Sequence, residues 1–278
     1  MQSLYESTIL GIVQGLTEFL PISSTAHLRI MPAMFHMRDP GTAFSAVIQL
    51  GTMIAVVVYF WKDLFKIYSA FFSELFRYKK FVSHEAKLAF WILSGTLPIC
   101  VFGLLFKDPI EAGMVRDLNL ISFYLIFFGV LLFISEIFAK ENRQLADINI
   151  LDVLLIGIVQ SFALIPGVSR SGVTLFAGLL LGFKRSHAAR FSFLLSVPAV
   201  LLSGCLELNT LVISLKEGVE NILWPNLFIG SLIASIFGYL AIDFLLKYLQ
   251  THKTHVFVVY RVILGALVMY LNHKGVIH

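Results

Sequence analysis

Two short stretches hold most of the residue types in this chain that could do chemistry. The first reads Gln14-Gly15-Leu16-Thr17-Glu18-Phe19-Leu20-Pro21-Ile22-Ser23-Ser24-Thr25-Ala26-His27, and the second Pro166-Gly167-Val168-Ser169-Arg170-Ser171-Gly172-Val173-Thr174. Gln14 and Glu18 lie four apart and so share a helix face. Pro21 stops that helix, and Ser23 or Ser24 suits the cap of the next. A helix start presents free N–H groups and the positive end of the helix dipole, which favours phosphate. His27 follows Ser24 by three residues, so a helical turn is expected to bring the two side chains together. The second stretch repeats the proline, the turn and the hydroxyls, and adds Arg170, whose guanidinium matches phosphate oxygens bidentately. A carboxylate, an imidazole, several hydroxyls and one arginine together suit phosphoryl transfer or hydrolysis. In such a set the carboxylate is able to hold a divalent metal.

Each residue also has a plainer use. Glu18 and Arg170 suffice as a structural ion pair, Ser24 as a helix cap and His27 as an interface histidine. Gln14 and Gln160 suffice as helix-to-helix hydrogen bonders. Arg261, six residues past His255, is expected either to snorkel to the cytoplasmic surface or to join an ion pair. An ionisable group inside a bilayer costs about 2.5–3.5 kcal/mol on insertion scales. That cost favours a functional or paired role for Glu18 and Arg170, and the joint pattern carries more than any single residue.

The elements that position these residues are set by composition. The chain has 278 residues, 58% hydrophobic and only 14% charged, with a net charge of +4 and a mean hydropathy of +0.86. Soluble domains carry about 25% charged residues. A soluble globular protein, a disordered chain and a typical nucleic-acid binder are therefore set aside in favour of an integral membrane protein. Cys100 and Cys205 lie in apolar runs and are expected to be inert, buried small hydrophobes. Met1 to Gly15 has no basic n-region and carries Glu6, so insertion without a cleaved signal is expected.

Six stretches read as spanning helices: 44–61, 88–106, 119–137, 191–208, 227–247 and 256–272. The Lys- and Arg-rich stretch from Lys62 through Lys79 to Lys87 reads as a polar loop, which the positive-inside rule places in the cytoplasm. Alternation then puts 107–118, with Asp108, Glu111 and Asp117, outside. Lys140 and Arg143 fall inside, as do Lys184, Arg185 and Arg190. Glu217 and Glu220 fall outside, and Lys247 and Lys253 inside. On this count 1–43 begins and ends outside, while 153–190 begins and ends inside. Both are apolar, and both are broken near the middle, by Pro21 and by Pro166. Non-helical backbone at that depth is tolerated only within protein or beside a water-filled cavity. Both are expected to be re-entrant helical hairpins entering from opposite faces.

The halves also match each other. Gly11-Ile12-Val13-Gln14 recurs as Gly157-Ile158-Val159-Gln160, Phe44-Ser45 as Phe191-Ser192, and Tyr124 and Gly129 as Tyr260 and Gly265. An odd number of spans per half makes the second copy inverted. The expected architecture is an all-α polytopic membrane protein of six transmembrane helices and two re-entrant hairpins. Residues 1–145 form the first repeat and 146–278 the second, with the polar site where the broken helices meet.

At the two motifs, and along its whole length, the chain resembles the bacterial undecaprenyl-pyrophosphate phosphatase family, also called bacitracin resistance protein BacA or UppP. The resemblance implies removal of the terminal phosphate from a C55 isoprenyl pyrophosphate, which recycles the lipid carrier of peptidoglycan synthesis. It implies that Glu18 is the essential carboxylate and metal ligand, Ser24 the nucleophile, His27 its acid/base partner and Arg170 the phosphate clamp. Gln14, Ser23, Thr25, Ser169, Ser171 and Thr174 are then substrate-binding residues, and the cofactor a divalent ion, Mg2+ or Ca2+. Implied partners are the polyprenyl pyrophosphate and membrane lipid, with a homodimer allowed and no nucleic acid. The implied location is the bacterial cytoplasmic (inner) membrane, with the site open to the outer, periplasmic face. The chain departs from the family pattern in having Gln14 where a glutamate is also found, which weakens a two-carboxylate metal site. Ala26 stands where glycine is common. A secondary transporter or lipid flippase is the competing expectation, because inverted repeats suit alternating access.

Overall fold

The structure is a computed structural model that describes residues 3–78, 80–106, 117–216 and 224–277. The described residues form eleven α-helices and no strand beyond an isolated bridge between Arg143 and Phe183. The helices are α1 (Leu4–Phe19), α2 (Ser24–Met34), α3 (Gly41–Tyr59), α4 (Trp61–Tyr78), α5 (His84–Leu105) and α6 (Leu118–Phe138). They continue as α7 (Ile150–Gln160), α8 (Arg170–Leu180), α9 (Arg185–Lys216), α10 (Trp224–Thr251) and α11 (His255–His273). The expected outer positions of Asp108, Glu111, Glu217 and Glu220, and the position of Lys79, lie outside the described residues.

Five helices, α5, α6, α9, α10 and α11, are long and apolar enough to cross a bilayer singly. They present Phe123, Phe127, Leu232, Ile236 and Ile263 outward, an apolar surface that suits contact with lipid. The chain is a polytopic, all-helical membrane protein. The helices α3 and α4 reach that length and hydropathy only when taken together, and they meet at an angle of 80°, so the described residues hold five single crossings and one sharply bent pair where a sixth was expected. The bend follows from Phe60, which closes α3 with an N–H to the Val56 carbonyl before Trp61 starts a new axis.

Here the structure corrects the sequence reading. The stretch after Lys62 is an 18-residue helix rather than a loop. Its bases mark a loop by count alone, but Leu64, Ile67 and Phe71 recur at helical spacing and seat the segment on the protein core. A second correction concerns Cys205, which is exposed instead of buried.

The two broken segments fold as helical pairs too short to span. Ser3 starts α1 through a capping box with Glu6, and Asn149 starts α7 through one with Asp152. Each first helix then packs on a long helix from the other half of the chain. A Cβ on Gly11 would sit 2.5 Å from the Gly230 carbonyl of α10, and one on Gly157 would overlap the Gly95 carbonyl of α5. Glycine is needed at both positions for backbone to meet backbone. The largest apolar cluster joins Phe19, Phe60, Ile92, Phe193 and Ile242, and so packs the end of α1 beneath the site.

Candidate functional site

The two hairpin tips are built alike. The N-cap of α2 is Ser23 and that of α8 is Ser169, with φ of 72° and 73°. Positive φ in a residue with a Cβ costs of order 1–3 kcal/mol and is usually kept where it serves a site. Each hydroxyl accepts one first-turn N–H, from Ala26 at 3.4 Å and from Gly172 at 3.2 Å. The remaining N–H groups at the head of both helices are left for an anion. The tips touch, because the Ser171 hydroxyl donates to the Leu20 carbonyl at 3.0 Å.

Between them lies Glu18, 6% exposed. Its Oε2 accepts the Ser24 hydroxyl at 2.6 Å and the Gln14 amide at 3.1 Å. Its Oε1 accepts Arg170 Nη2 at 3.0 Å and the Gln49 amide at 3.1 Å. Four donors from three parts of the chain thus fill a carboxylate that offers about four lone-pair positions. Arg170 also reaches the Ser192 carbonyl at 3.4 Å, while its Nε is buried without a hydrogen-bond partner. An unsatisfied N–H on a buried guanidinium is a donor available to an oxyanion.

Of the residues singled out in the sequence, Gln14, Glu18, Ser24 and Arg170 therefore meet directly. Ser23 and Thr25 share a hydroxyl contact of 3.1 Å, and Ser169 and Ser171 one of 3.2 Å, so each pair lines its own tip. Thr174 sits one turn behind, where its hydroxyl donates to the Arg170 carbonyl and contacts Ser192. His27 is not brought onto Ser24. Its Nδ1 meets the Ser23 carbonyl at 2.7 Å, and its Nε2 meets the Tyr260 hydroxyl at 2.7 Å. The carbonyl fixes the proton on Nδ1, so Nε2 accepts from Tyr260. The turn that should have joined Ser24 to His27 is present, but Ser24 points inward to Glu18.

Arg261 neither snorkels nor pairs with a carboxylate. It is fully buried, and it donates to the carbonyls of Pro21, Tyr124, Leu125, Gly167 and Val168. One guanidinium thereby ties both hairpin tips to α6.

The family model of the bacitracin resistance protein BacA matches residues 7–267. The chain belongs to the BacA family. Among similar proteins, an undecaprenyl-diphosphatase of Myxococcus xanthus is 51% identical over 273 residues, covering 98% of this chain and 90% of the relative. Undecaprenyl-diphosphatases of Gloeobacter violaceus and Pelodictyon phaeoclathratiforme are 48% and 45% identical, each over 99% of this chain and 93% and 99% of the relative.

In this BacA-family chain, sequence reasoning missed Gln49, Tyr260 and Arg261 as parts of the site. Gln49 lies on α3 outside both motifs, although as an amide in a mainly apolar helix it could have been singled out. No group of three or more His, Cys, Asp or Glu able to hold a metal occurs among the described residues. The oxygen donors at hand are Glu18 and Ser24, since Gln14 and Gln49 turn their amide nitrogens to the carboxylate. Both are hard ligands, suited to Mg2+ or Ca2+ when phosphate and water complete the shell.

Proposed function

We propose that the chain is a membrane phosphatase that hydrolyses a polyprenyl pyrophosphate, undecaprenyl pyrophosphate by likeness to its relatives, to the monophosphate and inorganic phosphate. The observation that carries this reading is Glu18, which holds the Ser24 hydroxyl on one oxygen and Arg170 on the other. Binding or carriage alone needs a cation and helix starts. It does not need a hydroxyl whose proton already points at a buried carboxylate.

On this reading the prenyl tail lies along the helices and the pyrophosphate enters between the tips. Arg170 turns from Glu18 to the terminal phosphate, where its unpartnered Nε adds a second donor. The first N–H groups of α2 and α8 take the remaining oxygens. Ser24 Oγ forms a bond to the terminal phosphorus as the bond to the bridging oxygen breaks, and its proton passes to Glu18. Water then attacks the phosphoserine phosphorus as the bond to Ser24 Oγ breaks; Glu18 returns its proton to Ser24, and the water proton leaves with the phosphate. His27, held by Ser23 and Tyr260, keeps the tip in register instead of taking the serine proton. A divalent ion, Mg2+ or Ca2+, would be held by Glu18 and Ser24 together with the phosphate and water, and would supply further neutralisation of phosphate charge.

The reading extends to the setting. The two halves, 1–145 and 146–278, are inverted repeats that share one site. The membrane is the bacterial cytoplasmic (inner) membrane, with the site opening to the outer, periplasmic face. The product is the recycled lipid carrier of peptidoglycan synthesis, and resistance to bacitracin follows from removing the pyrophosphate. The test is phosphate release from a short prenyl pyrophosphate in detergent. Full activity in both Ser24→Ala and Arg170→Ala would overturn the site, and lipid flux across proteoliposomes without phosphate release would replace the phosphatase with a carrier.

A further inference from the structure

The helix α4 has three faces rather than two. Leu64, Ile67 and Phe71 pack on the protein core. Trp61, Phe65, Phe72 and Phe76 are exposed, and at 100° per residue they fall within an arc of roughly 60°. The next arc holds Lys62, Lys66 and Arg77, with Ser69 and Ser73. A helix carrying aromatics beside bases, turned 80° from the apolar helix before it, has the pattern of one lying in the membrane interface.

The acids around it are already used. Asp63 pairs with Arg190 at 2.6 Å, and Glu85 with Lys66 at 2.6 Å. Glu74 accepts the backbone N–H groups of Val82 and Ser83. Lys62, Lys80 and Lys87 remain exposed on the same segment, and Lys62 stands 5.8 Å from the Trp61 ring centroid. The segment thus shows outward a strip of aromatic rings edged by positive charge.

We propose that α4 is a docking surface for the anionic phospholipid headgroups of the cytoplasmic leaflet. The rings sit at the level of the acyl carbonyls, and the lysines reach the phosphates. Basic residues near such a surface are attracted within a Debye length, and the charge bias of this segment selects the cytoplasmic side. The helix fixes the height of α3, and with it Gln49, relative to the bilayer.

Two measurements on the full chain in nanodiscs test this. The first compares thermal unfolding in phosphatidylcholine with that in phosphatidylcholine mixed with phosphatidylglycerol. The mixed lipid is expected to raise the midpoint by several degrees, and Lys62→Gln/Lys80→Gln/Lys87→Gln to remove that gain while leaving the value in phosphatidylcholine unchanged. An equal gain in the triple variant overturns the proposal. The second uses Trp91→Phe/Trp224→Phe, which leaves Trp61 as the one tryptophan. Lipid brominated near the carbonyls is expected to quench it more than lipid brominated near the chain ends. A Trp61 quenched by aqueous acrylamide and by neither lipid overturns the proposal. One shielded from both acrylamide and bromine assigns the face to a second protein copy and overturns it equally.

Discussion

Glu18 accepts Arg170 at 3.0 Å across 152 residues of sequence, so the carboxylate of the first hairpin is paired with the arginine at the tip of the second. The pair is nearly dry, with the side chains 4% and 9% exposed. In a medium of low dielectric such a pair is stable while both partners stay, and becomes a liability when one is removed. On the proposed mechanism the same geometry keeps Arg170 from a phosphate until the carboxylate gives it up, so that ground-state order and catalytic use would compete for one guanidinium.

Glu18→Gln leaves Arg170 buried without a counter-charge. The expected loss is about 3–5 kcal/mol of stability together with a fall in phosphate release of at least about 10²-fold. Differential scanning of the purified protein and an endpoint phosphate assay check both. Glu18→Gln/Arg170→Gln should recover much of the stability and none of the activity.

Ser24→Ala should fold well, since Ser23 and not Ser24 caps α2. Its turnover should drop by at least about 10³-fold, with KM little changed, if the hydroxyl attacks the reacting phosphorus as proposed. Tyr260→Phe removes one hydrogen bond from His27, worth about 0.5–1.5 kcal/mol. The result should be a loss of no more than about tenfold, read in the same assay.

Arg261→Lys keeps the charge and loses the planar fork. A lysine has three donors for the five carbonyls that Arg261 now serves. The variant should lose at least about 2 kcal/mol, since each buried carbonyl left alone costs about 1–3 kcal/mol. Its melting midpoint against that of the parent protein gives the answer.

Chelation should stop phosphate release, and Mg2+ or Ca2+ should restore it. Gln14→Glu places a second carboxylate beside Glu18 and should lower the metal concentration needed for half-maximal rate. A rate indifferent to chelator in both proteins would remove the metal from the proposal.

Much of the site was legible because its parts are local. Gln14 and Glu18 share a face by spacing, Pro21 and Ser23 mark a break and a cap, and Arg170 stands out as a charge in an apolar run. What joins them was less so. Gln49 reaches Glu18 from another helix, and Tyr260 reaches His27 across 233 residues. No window of sequence holds either pair. The ligands of Arg261 are main-chain carbonyls, which carry no residue signature at all. The helix α4 was misread for a different reason. Its positive charge is real, but charge does not distinguish a loop in water from a helix at an interface. The spacing of Leu64, Ile67 and Phe71 does.

The glycine contacts have a consequence for biogenesis. Gly11 meets Gly230, so the surface on which α1 finally rests has not yet been translated when the first hairpin leaves the ribosome. At 5–20 residues per second the wait is on the order of ten seconds or more. For the first part of that interval Glu18 has no Arg170, and for all of it the hairpin has no α10 to rest on. The insertion machinery must therefore shelter an unfinished polar tip until the C-terminal half arrives. Truncations that end before α10 should strand the hairpin, whatever their own hydrophobicity.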